Sequence, residues 1–258
     1  MTDAFYFLEG ERFVPTELTR GPWDPEAQHA GPPAALMGRA IEACPPGGGH
    51  VGRVTFEILR SVPLEPLELS VRVARPGRSV ELLEASLQAD GAEVMRASAW
   101  RLRTEGIAAP PARQHDAPPP APEQGEVKPF FDTGQELGYH RAMDVRFVEG
   151  SFLELGPATV WMRMRQPLVA GEEPSPLQRV LCAADSGNGV SAALDLERYL
   201  FANVELTVHL HRMPVGEWIC LDAVTTPEPT GLGVADAALF DERGPIGRAL
   251  QTLLVRKR

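Results

Sequence analysis

Glu205–Arg212 reads E-L-T-V-H-L-H-R, and Arg53–Arg60 reads R-V-T-F-E-I-L-R; a proline turn follows each. Both open a run of strand patterns, the first ending in W-R-L-R at Trp100–Arg103 and the second in V-R-K-R at Val255–Arg258. The repeat spans about half the chain, far longer than a solenoid period, so it predicts a duplicated domain. Alternation in the second copy predicts Val204, Leu206, Val208 and Leu210 facing a core, with Asn203, Glu205, Thr207, His209 and His211 on the opposite face. Polar residues kept in only one copy are candidates for chemistry.

Working outward, Phe5–Leu8 and Arg12–Val14 predict two short strands, and Gly21–Gly31 a loop. Pro32 and Pro33 suit the first turn of a helix, where a missing N–H costs nothing, and Ala34–Cys44 continues it until Pro45. Strand patterns follow at Val54–Ile58, Leu67–Val73, Val80–Leu87 and Val94–Leu102, with turns at Pro76-Gly77 and Ala89-Asp90-Gly91. Prolines crowd Thr104–Glu126, which reads as an extended linker. Beyond it come strands at Val145–Val148 and Thr159–Met164, then a helix over Ser175–Ala184 with Ser175 as cap and Pro176 at its first position. Trp218–Val224, Gly233–Phe240 and Ile246–Val255 complete a second meander. The expected organisation is residues 1–104, a linker over 105–129, and a second unit over 130–258.

Hydrophobic content of 43% and charged content of 23% are ordinary for a globular protein. A formal charge of −10 argues against nucleic acid as a partner, because phosphate binding needs a cationic face. Three cysteines, Cys44, Cys182 and Cys220, lack metal-type spacing and sit in apolar runs, which predicts reduced thiols. Met1–Gly10 carries no secretory pattern, and no apolar stretch nears the ~20 residues of a membrane span. A cytoplasmic protein without stable membrane insertion is expected.

A helix wrapped by an antiparallel sheet, repeated in tandem, resembles the α+β double-hotdog fold, two helix-plus-sheet units forming one continuous sheet. The chain resembles the thioesterase-like relatives of type II acyl-CoA thioesterases, common in actinobacteria and other bacteria. The resemblance rests on H-A-G-P-P-A-A-L at His29–Leu36, A-A-D-S-G-N-G at Ala183–Gly189, and N-V-E-L-T-V-H-L-H-R at Asn203–Arg212. To these are added G-E-W at Gly216–Trp218 and G-R-A-L-Q-T at Gly247–Thr252.

It implies an enzyme of lipid metabolism that hydrolyses an acyl-CoA or acyl-carrier thioester by water attack, with an Asp, a hydroxyl residue and a Gln supplied by the second unit. These positions fall on Asp185, Asn203 and Gln251. Asn203 is a departure, since an amide binds water but does not relay a proton as a hydroxyl does. Asp185 would be the base or orienter of the water, with Asn203 and Gln251 holding it. Two alternatives stand beside these roles, Asp185 as a turn cap and Gln251 bound to the main chain.

His29 and Gly31 are candidates for substrate binding, their loop N–H groups serving an oxyanion; a tight entry turn and a structural histidine are the plainer readings. Counting from the repeat puts Val51 opposite Asn203, Ala99 or Arg96 opposite Gln251, and Pro33 or Glu42 opposite Asp185, so one active site per chain is expected. His209 and His211 share a strand face without further ligands and predict no metal. No cofactor is implied. Arg60, Arg212 and Arg248 are candidate cations for phosphates, surface salt bridges being the plainer reading of each.

Two rival functions remain at this level. A hotdog hydratase or dehydratase would need His29 or His209 to converge with Asp185. A non-catalytic acyl-CoA binding protein is the other. The family also implies homodimers or homotetramers.

Overall fold

A computed structural model of the chain describes residues 4–107 and 117–258. Residues 1–3 lie outside it, as does the middle of the proline-rich stretch with Pro110 and Pro111. The first unit holds β1 (Tyr6–Glu9), β2 (Arg12–Pro15), α1 (Gly31–Ala43), β3 (His50–Ile58), β4 (Leu67–Arg75), β5 (Val80–Ala89) and β6 (Ala92–Leu102). The second holds α2 (Tyr139–Ala142), β7 (Met143–Glu149), β8 (Ala158–Met164), α3 (Pro176–Ala184), α4 (Gly187–Val190), β9 (Tyr199–Asn203), β10 (Glu205–Leu210), β11 (Ile219–Pro227), β12 (Leu232–Asp241) and β13 (Gly244–Lys257).

All these strands join one antiparallel sheet in the order β1-β2-β4-β5-β6-β3-β10-β13-β12-β11-β8-β7, with β9 paired to β13. The two halves of the repeat meet at β3 and β10, where Thr55 faces Thr207 and the two hydroxyls hydrogen-bond at 3.1 Å. This is the double hotdog: two helix-and-sheet units on one continuous sheet.

Helix α1 packs on β3, β4 and β5, and α3 on β8 and β11, so one apolar core runs through both units. The helices also pack on each other, antiparallel. Near one end Ser175 at the cap of α3 donates to Glu42 at 2.5 Å, and Arg39 pairs with Glu172 at 2.6 Å. At the other end the first residue of α1 meets the last turn of α3. Gly31 is required there: a Cβ on it would stand 2.3 Å from the Cys182 carbonyl oxygen. Helix α1 therefore begins at Gly31, ahead of the predicted Ala34, with both prolines in its first turn.

The predicted strand through Asn203–Arg212 is interrupted. Asn203 pairs with Leu253 and Thr207 with Leu250, so one extra residue, Val204, is inserted on this strand. A bulge of this kind reverses the alternation on one side of it. Leu206, Val208 and Leu210 face the core as expected, but Val204 is 45% exposed. Asn203, expected on the outer face, turns inward beside buried Leu253. The first unit has a bulge at the corresponding point, Gly52, between Val51 and Arg53.

The described end of the linker is also more structured than predicted. Pro122–Gln124 forms a 3₁₀ turn, Glu126 pairs with Phe147, and the Trp161 indole donates to the Pro120 carbonyl at 2.8 Å.

Candidate active site

Asp185 is the C-cap of α3, one residue past a helix capped at its start by Ser175. The antiparallel packing brings it to the first turn of α1, where the Ala30 and Gly31 N–H groups turn toward its carboxyl. The side chain is 5% exposed. Burial pushes its pKa up to about 7, against the opposing pull of hydrogen bonds from Asn203, Gln251 and those two N–H groups. A carboxyl poised there exchanges a proton near neutrality.

The bulge at Val204 supplies Asn203, whose Nδ2 donates to Asp185 Oδ1 at 2.8 Å. Gln251 comes from the inward face of β13 and is 2% exposed. Its Nε2 donates to the Asp185 carbonyl at 3.0 Å and to Oδ1 at 3.3 Å, while its Oε1 accepts from the Asn188 N–H at 3.0 Å. Both ends of this amide are thus engaged within the protein, and Gln251 is not among the residues lining the cavity described below. These contacts are those of the main-chain alternative given for Gln251, together with one to the carboxyl itself.

His29 reaches Asp185 from the first unit, with Nδ1 3.1 Å from Oδ2. The Gly31 N–H also points at Nδ1, at 3.1 Å. Nδ1 accepts from the Gly31 N–H, which leaves the hydrogen of the neutral ring on Nε2 and matches a protonated Asp185 donating to Nδ1. Burial lowers the His29 pKa to about 3, so the ring is neutral near pH 7. The N–H groups of Ala30 and Gly31, expected to serve an oxyanion, are turned to the carboxyl and to this ring instead.

Tyr139 escaped the sequence reading. Its ring stacks on His29 at 3.8 Å and 8°, and its hydroxyl donates to the Cys182 carbonyl at 2.8 Å. Ser186 Oγ lies 3.0 Å from the same hydroxyl. Nothing in G-Y-H-R at Gly138–Arg141 signals this role, because the contact spans more than forty intervening residues.

Asp185, Ser186, Asn203 and His29 open onto a cavity of about 490 Å³. Its walls are largely apolar, with Met143, Met162 and Phe201 among them, and it is flanked by a Trp23–Phe131 stack at 5.2 Å. Of the three arginines considered for phosphates, Arg60 lines this cavity. Arg212 is instead held by Asp241 at 2.6 Å, and Arg248 pairs with Asp236 at 3.0 Å. His211 meets the Pro245 carbonyl at 3.0 Å, and neither it nor His209 lines the cavity.

In the first unit the positions corresponding to Asn203 and Gln251 carry no amide. Cys44 stands at the C-cap of α1 as Asp185 does at that of α3, while matching the helix starts gives Glu42 and counting from the repeat gives Pro33. Val51 precedes the bulge, and Ala99 occupies the Gln251 position two residues before Arg101. Arg101, 2% exposed, donates to the Ile41 and Cys44 carbonyls and pairs with Glu81 at 2.9 Å.

A family model of the acyl-CoA thioesterase C-terminal domain matches residues 114–255, and one of the N-terminal domain matches residues 19–102. No curated protein matches the chain. Among solved structures, a candidate thioesterase II from Thermobifida fusca YX is similar, with a TM-score of 0.75 at 20% identity over 99% of this chain and 96% of that one. A hot-dog-fold protein of unknown function from Alicyclobacillus acidocaldarius gives 0.73 at 18% identity over 99% and 97%. Acyl-CoA thioesterase II TesB2 from Mycobacterium marinum gives 0.67 at 18% over 97% and 95%. At these identities the likeness is one of fold. No helix among the described residues is long and apolar enough to cross a membrane.

Proposed function

This chain belongs to the acyl-CoA thioesterase family, and from that premise we propose that it hydrolyses an acyl-CoA-type thioester by direct attack of water, without a covalent intermediate. The observation that carries the reading is a buried carboxyl, anchored by two amides and poised at about 7, on the wall of an apolar cavity. Ionised Asp185 takes a proton from water as the oxygen bonds to the thioester carbonyl carbon. The tetrahedral intermediate then collapses, the C–S bond breaks, and the proton passes to the departing thiolate. Asn203 and Gln251 fix the carboxylate, and the apolar walls take the acyl group.

Free-thiol release across a panel of acyl-CoAs tests this, wild type beside Asp185→Asn. Hydrolysis by wild type, reduced at least a hundredfold in the variant, is expected. Retained hydrolysis in the variant overturns the mechanism, and acyl-CoA binding without turnover by wild type points to a binding protein.

The convergence of His29 with Asp185 favours one second reading, a hydratase acting on an enoyl thioester. It predicts loss of the conjugated enoyl absorbance without release of thiol.

A further inference from the structure

We propose that Ser186 orients the attacking water together with Asp185, an assignment that rests on the hydrolytic reading above. The argument is a count of hydrogens. A tyrosine hydroxyl has one hydrogen to give, and Tyr139 gives it to the Cys182 carbonyl at 2.8 Å. The 3.0 Å contact between Tyr139 and Ser186 therefore takes its hydrogen from Ser186. Serine also has one, so the donor of Ser186 is committed inward and its oxygen keeps its lone pairs for the other side.

Ser186 lines the cavity together with Asp185. The residue stands at the N-cap position of α4, yet its side chain makes no capping hydrogen bond. It is 6% exposed and its hydroxyl is engaged with Tyr139, which leaves its acceptor side open to a small ligand of the cavity. Two neighbouring acceptors, a carboxylate and a hydroxyl oxygen with its own hydrogen tied back, match the two hydrogens of one water. The water gives one hydrogen to Asp185 as its oxygen bonds to the carbonyl carbon, and rests the other on Ser186. Ser186 loses nothing and gains no proton; it sets the direction of the water's lone pair. Burial holds the Tyr139 hydroxyl well above its ordinary pKa, so the chain Ser186 to Tyr139 to Cys182 keeps one direction across the working pH range. Tyr139 is a positioning residue, acting through Ser186.

The experiment is steady-state thiol release by the full chain with octanoyl-CoA, or with the best substrate of the panel. Wild type is compared with Ser186→Ala, Ser186→Cys, Tyr139→Phe and the double variant Ser186→Ala/Tyr139→Phe. Ser186→Ala should lower kcat about ten- to a hundredfold with KM within about twofold. Ser186→Cys keeps the volume but is a weak acceptor, and should fall likewise even where the alanine variant folds poorly. Tyr139→Phe keeps the ring on His29, releases the serine hydrogen, and should also lower kcat. The double variant should be no slower than Ser186→Ala, because the two residues act as one unit. A purely structural role would move KM and make the losses multiply. If Asp185→Asn is dead while Ser186→Ala and Ser186→Cys both keep kcat within about threefold of wild type, the assignment is overturned and hydrolysis stands. If wild type releases no thiol, hydrolysis fails and the assignment with it.

Discussion

Asp185 couples activity to stability through one proton. Its folded pKa of about 7 lies above the ~4 of an unfolded aspartate, so between those values the folded chain holds a proton that the unfolded chain has released. Stability present below pH ~4 is therefore lost as pH rises toward 7, while the ionised base becomes available over the same interval. We expect kcat to climb through about pH 7 and level off above it. The melting temperature of Asp185→Asn should gain on that of wild type as pH rises from about 5 to 8, and calorimetry across that range checks it. Asp185 was legible because it ends an apolar helix run just before Ser-Gly, and Gln251 because it interrupts a small apolar face. Asn203 was named, but its orientation was not: strict alternation put it outside, and the single inserted residue at Val204 turned it in. Ser186 and Tyr139 were not legible, since their hydroxyls meet only through tertiary packing.

Among elements, the crossing of α1 over α3 is what assembles the site. The strands and both long helices could be read from periodicity, capping serine and prolines. The contact between the helices could not, because a glycine in a loop motif reads equally as a turn. Gly31→Ala would force a methyl group to within 2.3 Å of the Cys182 carbonyl oxygen. The helices would have to part, at a cost of about 1–3 kcal/mol, and the His29–Asp185 contact would open with them. Urea unfolding should show that loss, and kcat should fall more steeply than the same destabilisation produces at a site far from the crossing. The bulge is the second element-level device. It appears in both units, but only the second uses it to aim a polar side chain; in the first it presents Val51, which is 3% exposed.

For the whole molecule, charge sets the terms of substrate capture. A chain with a formal charge of −10 repels an anionic ligand at long range, so a local cation at the cavity must offset it. Arg60 is placed for that task, contributed by the first unit to a cavity whose acid comes from the second. Arg60→Glu should raise KM for an acyl-CoA about tenfold at low salt, leave kcat nearly unchanged, and lose much of its effect at 0.5 M salt. A salt series of initial rates decides it. That the chain is duplicated was plain from its two matching strands; that both halves build a single cavity was not, because no motif reports which faces a sheet will bring together.

The Thr55–Thr207 pair marks where the two repeated units face each other. In an assembly of identical subunits, any substitution beside that seam would appear on both sides at once. Here the two pairs flanking it, Arg53 with His209 and Glu57 with Glu205, differ where that symmetry would make them identical. With both units in one polypeptide the two sides are free to differ: the second ends its helix on buried Asp185, and the first on Cys44, whose carbonyl is held by buried Arg101.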